Sequence, residues 1–594
     1  MRSRSRSAGS ATGTAVAPEA VDEPGRTSAP EQSPSRLFRG PRTARSWFFR
    51  AAAHGEPSAG SDWPIDRRWA VQRTGRWAAV AFVVIIVGWS LLWAGSNPPG
   101  AAPDEPSHYA KAAAAGTGEL AGNPIPLADL ERLHAFNPAA LAQVRHAYRS
   151  FTVPRQLRVQ TNPPCVAFRR QISAACLARP RPTPPGPVYS IVGAYPPWFY
   201  LSGGLLTRLA WSVRTGYLFA RVGSALAAGL LLAGGVWLLL DRSRRPAVLV
   251  AGLAVAVTPT SVFLASEVGA SGAEALGAVA SAAAFLRLSR PDPPRGAVWW
   301  TAGAVLGLTA ATRPLAPVWV LFGLVIAVAR LGVRPAVRRF RDGGRPAFGA
   351  AALAVAGGIA SLGWTQVLGV RTAVQWGRLG HGIRQAWEVA PIVGRQTIAV
   401  FGWQDTYGPL ALVRAWWLVG LAGPLLAFVV TRRRRERGVL LGAAAGAAGL
   451  YVVIAAAVFE QNGFGMQGRY ILPALVMLPL LGAEVVAERQ PVGRPRLVAA
   501  GAGVVIVFSG VGQLVAWWAN SRRYAVGRGG PVWFLPSAQW SPPGGWPLSV
   551  AGASLLAVLT AGIALLVSYT ELYSADEDRD LDTGRVVRTR SRAC

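Results

Sequence analysis

The residues of this chain best suited to chemistry stand in one short run, Pro103-Asp104-Glu105-Pro106-Ser107-His108-Tyr109, two adjacent carboxylates followed by a histidine. Asp104 and His108 are four residues apart, so a helix that starts at the prolines places both on one face, with Glu105 turned about 100° away. Such a set suits a general base acting on an acceptor hydroxyl, or a divalent-cation site in which Asp104 and Glu105 bind the metal beside a phosphate. The same spacing suits a plain helix start, with Asp104 as N-cap and Pro106 in the first turn. Spacing leaves both readings open, and position has to decide between them.

Further polar residues interrupt apolar surroundings. Glu267 and Glu274 lie at the boundary of apolar segments, where an ionised carboxylate is costly unless it is paired or faces water; their plain alternative is an interhelical hydrogen bond. Arg221 sits one turn inside an apolar run, and Arg313 breaks another just before Pro314. Each needs an anion or a snorkelling route, and a lipid phosphate or an ordinary headgroup supplies one. Arg469, between Gly468 and Tyr470, is the best phosphate candidate, because a guanidinium holds phosphate bidentately. Trp403 and Asp405 suit a sugar site through stacking and hydroxyl hydrogen bonds, although tryptophans at this depth also form interfacial belts. Cys165 and Cys176 are close enough in sequence, in a segment expected outside, for a disulfide.

The elements that must position these groups are membrane helices. Of 594 residues 51% are hydrophobic, 23 are tryptophan, and the apolar residues come in long runs rather than stripes. This predicts an all-α, polytopic integral membrane protein embedded in the lipid bilayer. The formal charge of +32 comes from arginines clustered between apolar runs, as the positive-inside rule expects. No nucleic-acid motif accompanies them, so no nucleic-acid partner is expected.

Residues 1–75, rich in Ser, Arg, Pro and Gly, read as a disordered basic cytosolic tail. The membrane domain covers 76–570, and a charged cytosolic tail covers 571–594. The first span, from Trp77 to about Ala94, follows Arg67, Arg68, Arg73 and Arg76 and so delivers Asp104 to the outside. A long external loop over 96–215 is expected to hold short helices at Ala102–Gly116 and Leu127–Tyr148 and a proline-dense turn from Pro180 to Pro187. Tyr189–Leu209 is apolar enough to span, but the arginine register favours a juxtamembrane or re-entrant segment. Later spans, among them Ala270–Leu286, Ala297–Ala311 and Leu315–Ala329, bring the expectation to about twelve crossings of the plasma membrane, both termini cytosolic. The two around Arg313-Pro314 are short and read alternatively as a broken helix pair. Under this register the unusual polar residues converge on the outer face.

The pattern resembles a known class. An external Asp-Glu-x-x-His after the first span, then Tyr195-Pro196-Pro197-Trp198-Phe199-Tyr200 before an arginine-bearing span, resembles the GT-C membrane glycosyltransferases. With Phe401-Gly402-Trp403-Gln404-Asp405 and Gln467-Gly468-Arg469-Tyr470, it is similar to an actinobacterial group of predicted membrane proteins, the domain of unknown function 2142. The likeness covers roughly residues 77–570, with one departure, the absence of an Asn-Pro before Glu274. It implies that the first external loop supplies a catalytic carboxylate, Asp104 or Glu105. His108, Tyr195, Glu267, Glu274, Trp403 and Asp405 would contact substrate. Arg221, Arg313 and Arg469 would meet the lipid phosphate. The donor would be a polyprenyl-phosphate sugar and the acceptor a cell-envelope glycan. The alternative is a transporter or flippase of lipid-linked saccharides, which needs a polar path through the bilayer rather than one gathered site.

Overall fold

A computed structural model describes residues 63–582 except 127, 130–145, 179–182, 184, 244, 371–378, 463–465 and 490–494. Most of the expected N-terminal tail therefore lies outside the described residues. So do most of the expected helix Leu127–Tyr148, much of the Pro180–Pro187 turn and the arginine-bearing connector at 489–496, and the chain beyond 582.

The first helix, α1 (Trp63–Ser96), starts twelve residues before the expected end of the tail, and its stretch Arg73–Ser96 is long and apolar enough to cross a membrane. The chain then turns through Gly100, in the left-handed region at φ 74°, into α2 (Glu105–Gly116), every residue of which is buried. Three short antiparallel strands follow, β1 (Asn123–Pro124), β2 (Arg149–Phe151) and β3 (Val188–Ser190), ordered β1-β2-β3. They add a small sheet to a chain expected to be all-α. Between them Cys165 and Cys176 form a disulfide, their Cα atoms 6.3 Å apart.

Next come α3 (Trp198–Thr207) and α4 (Val213–Leu240). The ten residues of α3 rise about 15 Å, half of a bilayer core, so this helix by itself is too short to cross. Small residues pull α2, α3 and α4 together. A Cβ at Gly204 would lie 2.2 Å from the Ala112 carbonyl oxygen, and one at Gly203 would lie 2.6 Å from that of Ala220. The alanine and glycine composition of α2 is thus the condition for burying it whole. A capping box starts α4: Ser212 Oγ accepts from the Thr215 amide at 3.3 Å, and Thr215 Oγ1 accepts from the Ser212 amide at 3.1 Å.

The helices α5 (Pro246–Ala256) and α6 (Pro259–Ala265) are bent by 69° at a proline break. Side chains from elsewhere satisfy the opened backbone: Trp416 Nε1 donates to Val255 O at 3.1 Å and Gln513 Nε2 to Val257 O at 3.0 Å. Then follow α7 (Ala270–Leu288), α8 (Gly296–Thr312), α9 (Ala316–Leu331), α10 (Val333–Asp342), α11 (Gly344–Val367) and α12 (Leu379–Ala399). A hairpin of β4 (Val400–Phe401) and β5 (Thr406–Tyr407) leads to α13 (Leu410–Val430) and α14 (Arg434–Asn462). The chain closes with α15 (Gly468–Leu475), α16 (Met477–Arg489), α17 (Pro495–Val526) and α18 (Gly545–Asp582).

Eight helical stretches are long and apolar enough to cross a membrane, or up to ten if the two bent pairs are counted. The expectation of twelve is too fine for what the helices support. The stretches expected at Ala297–Ala311 and Leu315–Ala329 are helices of 17 and 16 residues, about 25 Å long against a core of about 30 Å. The second turns by 105° into α10, which carries Arg334, Arg338, Arg339 and Arg341 and no buried residue.

Candidate functional site

Asp104 occupies the N-cap position of α2, yet its side chain makes no cap bond and its backbone is left-handed, φ 61° and ψ 7°. That conformation costs a non-glycine residue about 1–2 kcal/mol. The carboxylate turns instead to Arg469, 3.3 Å away, from the first turn of α15. Gly468 lets α15 approach α12, since a Cβ there would lie 2.5 Å from that of Gln396, and Gln396 Oε1 accepts the Gly468 amide at 2.7 Å. The buried Nε of Arg469 has no hydrogen-bond partner among the described residues.

Arg313 joins the same group. Its guanidinium lies 5.6 Å from the centre of the Tyr470 ring and that of Arg469 lies 5.4 Å from it, so one aromatic ring carries both cations. Arg313 also sits 5.4 Å from the Tyr195 ring, with its Nη2 3.4 Å from the Tyr195 hydroxyl. Glu274 is the counter-ion: Oε2 is 2.7 Å from Arg313 Nη1, while Oε1 accepts from Trp319 Nε1 at 2.9 Å. Ser271 Oγ, 3.3 Å from Arg313 Nη1, completes the seat. Arg313 can stand there because α8 ends on it in an extended conformation, φ −151°, before Pro314.

His108 is buried, with Nδ1 2.6 Å from the Tyr200 hydroxyl and its ring stacked on Tyr200. Burial, and then the charges of Arg469, Arg313 and Lys111, hold its pKa well below the usual imidazole range. It is therefore a neutral group at pH 7. Lys111, one turn on, donates to the Gly193 carbonyl and is pushed down to about 7 by burial and the Arg149 charge.

Glu105 and Arg221 belong to a separate, buried cluster. Glu105 is fully buried, and Arg221 holds it bidentately, Nε to Oε1 at 2.8 Å and Nη2 to Oε2 at 2.7 Å. The Val268 amide donates to Oε1 at 3.1 Å and the Ala102 amide to Oε2 at 3.4 Å. Arg221 also reaches Glu267 Oε2 at 2.7 Å and donates to the carbonyls of Ala94, Asn97 and Pro98. Glu267 Oε1 accepts from Asn97 Nδ2 at 2.7 Å, and Asn520 donates to Asn97 in turn. The expected phosphate role of Arg221 is corrected here, because all three of its nitrogens are bound within the protein. Glu105 likewise turns both oxygens inward, away from any acceptor. Burial raises the Glu267 carboxyl well above the usual range, the Arg221 charge opposing and the Glu105 charge adding. For Glu105 burial also raises the pKa, but Arg221 and the converging donors outweigh it and the net direction is down. One arginine thus serves one carboxylate and one carboxylic acid.

Asp104 and Glu105 accordingly face different partners and do not converge on a cation. Among the described residues no cluster of three side chains able to hold a metal occurs. Trp403 is not a sugar platform: it is buried and donates Nε1 to Gly100 O at 2.9 Å, tying the hairpin to the loop before α2. Asp405 pairs with Arg523 at 3.2 Å, facing a different cavity from the one that Arg469 lines. Of the expected site residues, the fold gathers Asp104, His108, Tyr195, Glu274, Arg313 and Arg469 and sets the others apart.

A family model described as a predicted membrane protein, DUF2142, matches residues 87–478 of the chain. The chain belongs to this family. The DUF2142 match takes in every member of the gathered group, whereas Asn520, which donates to Asn97, and Arg523, which pairs with Asp405, lie beyond it on α17. No curated protein matches the chain. In this DUF2142 protein the sequence reading missed Tyr200, Tyr470 and Ser271, each adjacent to or inside a run already singled out. It also missed Asn97 and Asn520, 423 residues apart, which no local signal marks.

Proposed function

We propose that the protein is a GT-C-like membrane glycosyltransferase, moving a sugar from a polyprenyl-phosphate donor to a cell-envelope glycan acceptor on the outer face of the plasma membrane. In this reading the chain makes about twelve crossings with both termini cytosolic. The observation that carries the reading is the pairing of the strained, partly open Asp104 with Arg469, beside a second guanidinium on the same Tyr470 ring.

The groove beside Arg469 encloses only about 20 Å³, room for about one water molecule. Donor entry therefore parts the Asp104–Arg469 pair. The donor phosphate takes Arg469, already lacking a partner on Nε, and the carboxylate of Asp104 is released to act as base. The acceptor hydroxyl gives its proton to Asp104 as its oxygen bonds to the anomeric carbon. The bond from that carbon to the phosphate oxygen breaks, and the charge left on the polyprenyl phosphate is met by Arg469, with Arg313 behind it. Neutral His108 and Tyr200 complete the wall without adding charge.

The test is transfer by the full chain in vesicles carrying a panel of polyprenyl-phosphate sugars. Asp104→Asn keeps the protein inserted and lowers transfer on the order of 10²–10⁴-fold, the range of a positioned general base. Activity within a few-fold of the parent removes the central claim. Movement of the donor across the bilayer without its consumption points instead to the transporter or flippase.

A further inference from the structure

The hairpin β4–β5 has a second side. On it opens a cavity of about 750 Å³, lined by Arg170, Arg395, Arg522, Arg523, Arg528 and one carboxylate, Asp405. Five guanidiniums against one carboxylate leave an uncompensated charge of four. The volume falls within the range of small-molecule sites, about 300–1,000 Å³.

Two of the arginines hold the walls. Arg523 is buried and ties α17 to the disulfide-closed loop through the carbonyls of Val166, Arg169 and Ile172, while its Nε has no hydrogen-bond partner among the described residues. Arg522 braces the turn after α17 through the carbonyls of Arg528, Gly530 and Pro531. The side chains of Arg170, Arg395 and Arg528 are exposed and make no hydrogen bond or ion pair with the described residues. The Arg528 amide is fixed to the Arg170 carbonyl at 2.8 Å, so these two side chains leave from one braced point.

Setting topology is not the purpose of these arginines. The 32 residues of α17 rise about 48 Å, so its two ends stand on opposite sides of a bilayer core of about 30 Å. Arg496 is near one end, and Arg522, Arg523 and Arg528 are at the other. Likewise Leu410 begins α13 at the cavity, and the arginine run 432–435 follows its far end. Arginines on the side opposite the topology-setting clusters are the ones the positive-inside rule does not account for. The cavity also has an apolar lip of Pro391, Ile392, Pro409 and Leu410.

We infer that this cavity binds a phosphate ester, its anionic group seated among Arg170, Arg395 and Arg528 beside Arg523. The inference is independent of the transferase reading, because it uses no residue of the Asp104 group. The ester comes either from a soluble phosphorylated compound or from a lipid headgroup whose chain runs over Ile392 and Leu410.

The experiment is calorimetric titration of the detergent-solubilised full chain with inorganic pyrophosphate, and with dihexanoyl phosphatidic acid against dihexanoyl phosphatidylcholine. Saturable pyrophosphate binding is expected, at least about tenfold weaker in Arg395→Ala/Arg528→Ala, since each lost charge-assisted bond is among the stronger ones. The unliganded melting temperature of that variant stays at the parent value, because both side chains are exposed and neither makes a hydrogen bond or ion pair with the described residues. Arg469→Gln leaves the binding unchanged, which separates this site from the proposed active site. Phosphatidic acid binding more tightly than pyrophosphate, with the advantage lost in Ile392→Ser/Leu410→Ser, assigns the ester to a lipid; equal affinities assign it to a soluble compound. Unchanged affinity in the double arginine variant overturns the inference. So does pyrophosphate binding no better than chloride at matched ionic strength.

Discussion

The two carboxylates on Arg221 are predicted to respond unequally to the same substitution. Glu105 receives four donors, the Nε and Nη2 of Arg221 and the amides of Val268 and Ala102, whereas Glu267 accepts from Asn97 alone among the described residues and has Arg221 beside it as an ion-pair partner. All of these groups are buried, so a single guanidinium is matched by one negative charge, and the proton resides on Glu267. Glu105→Gln removes the charged partner of Arg221, so that Glu267 has to give up its proton in the buried site to compensate the guanidinium, and it converts two accepting oxygens into one oxygen and one amide. Breaking a buried pair in this way costs about 3–5 kcal/mol. Glu267→Gln replaces a neutral acid by a neutral amide of the same shape. It keeps one acceptor for Asn97 or Arg221, and the expected cost is about 1 kcal/mol or less, the net worth of an adjusted hydrogen bond. Against a total stability of about 5–15 kcal/mol, the first change is severe and the second small. Thermal unfolding of the purified variants, followed by intrinsic tryptophan fluorescence, ranks them directly. Equal loss in both, or a larger loss in Glu267→Gln, refutes the assignment of the charge to Glu105 and the scaffold role built on it.

The lysine inside α2 makes stability depend on pH. Lys111 titrates at about 7 in the fold against 10.5 when exposed, so between those values the unfolded chain binds the extra proton and stability rises with pH. From pH 7.5 to 9.5 the gain is on the order of 2 kcal/mol, read as a rise in melting temperature. Lys111→Met removes this contribution, and an unchanged rise in that variant contradicts the shift. Gly204→Ala places a Cβ 2.2 Å from Ala112 O and 2.8 Å from Gly116 N, backbone atoms that cannot rotate away. Its expected cost is about 2–3 kcal/mol. Gly358→Ala, with nothing within 4 Å of the new Cβ, is the neutral control in the same melting assay. Equal melting temperatures for the two contradict the close packing of α2 on α3.

By itself the sequence determined the class of the protein and the addresses of its chemistry. Long apolar runs with arginines between them require membrane helices, because only a helix satisfies its own backbone in lipid. The runs around Asp104, Tyr195, Arg313 and Arg469 were legible because polar residues at the ends of apolar segments need a reason to be there. The disulfide between Cys165 and Cys176 was legible from spacing and placement. What spacing left open was the division of labour. Asp104 and Glu105 are neighbours in sequence and alike in chemistry, yet a left-handed residue at the helix start turns one toward Arg469 and the other into the bundle. Arg469 read as the best phosphate candidate and Arg221 as another, and only the arrival of carbonyls and carboxylates from α1, α2 and the 267 loop exhausts Arg221, while Arg469 keeps an Nε with no partner among the described residues. Asp405 and Trp403, expected beside the substrate, were drawn off by Arg523 and Gly100, partners 118 and 303 residues away. Such choices depend on which helices pack together, and small residues such as Gly203, Gly204 and Gly468 set that packing. Their meaning appears only when the backbone they let in is known.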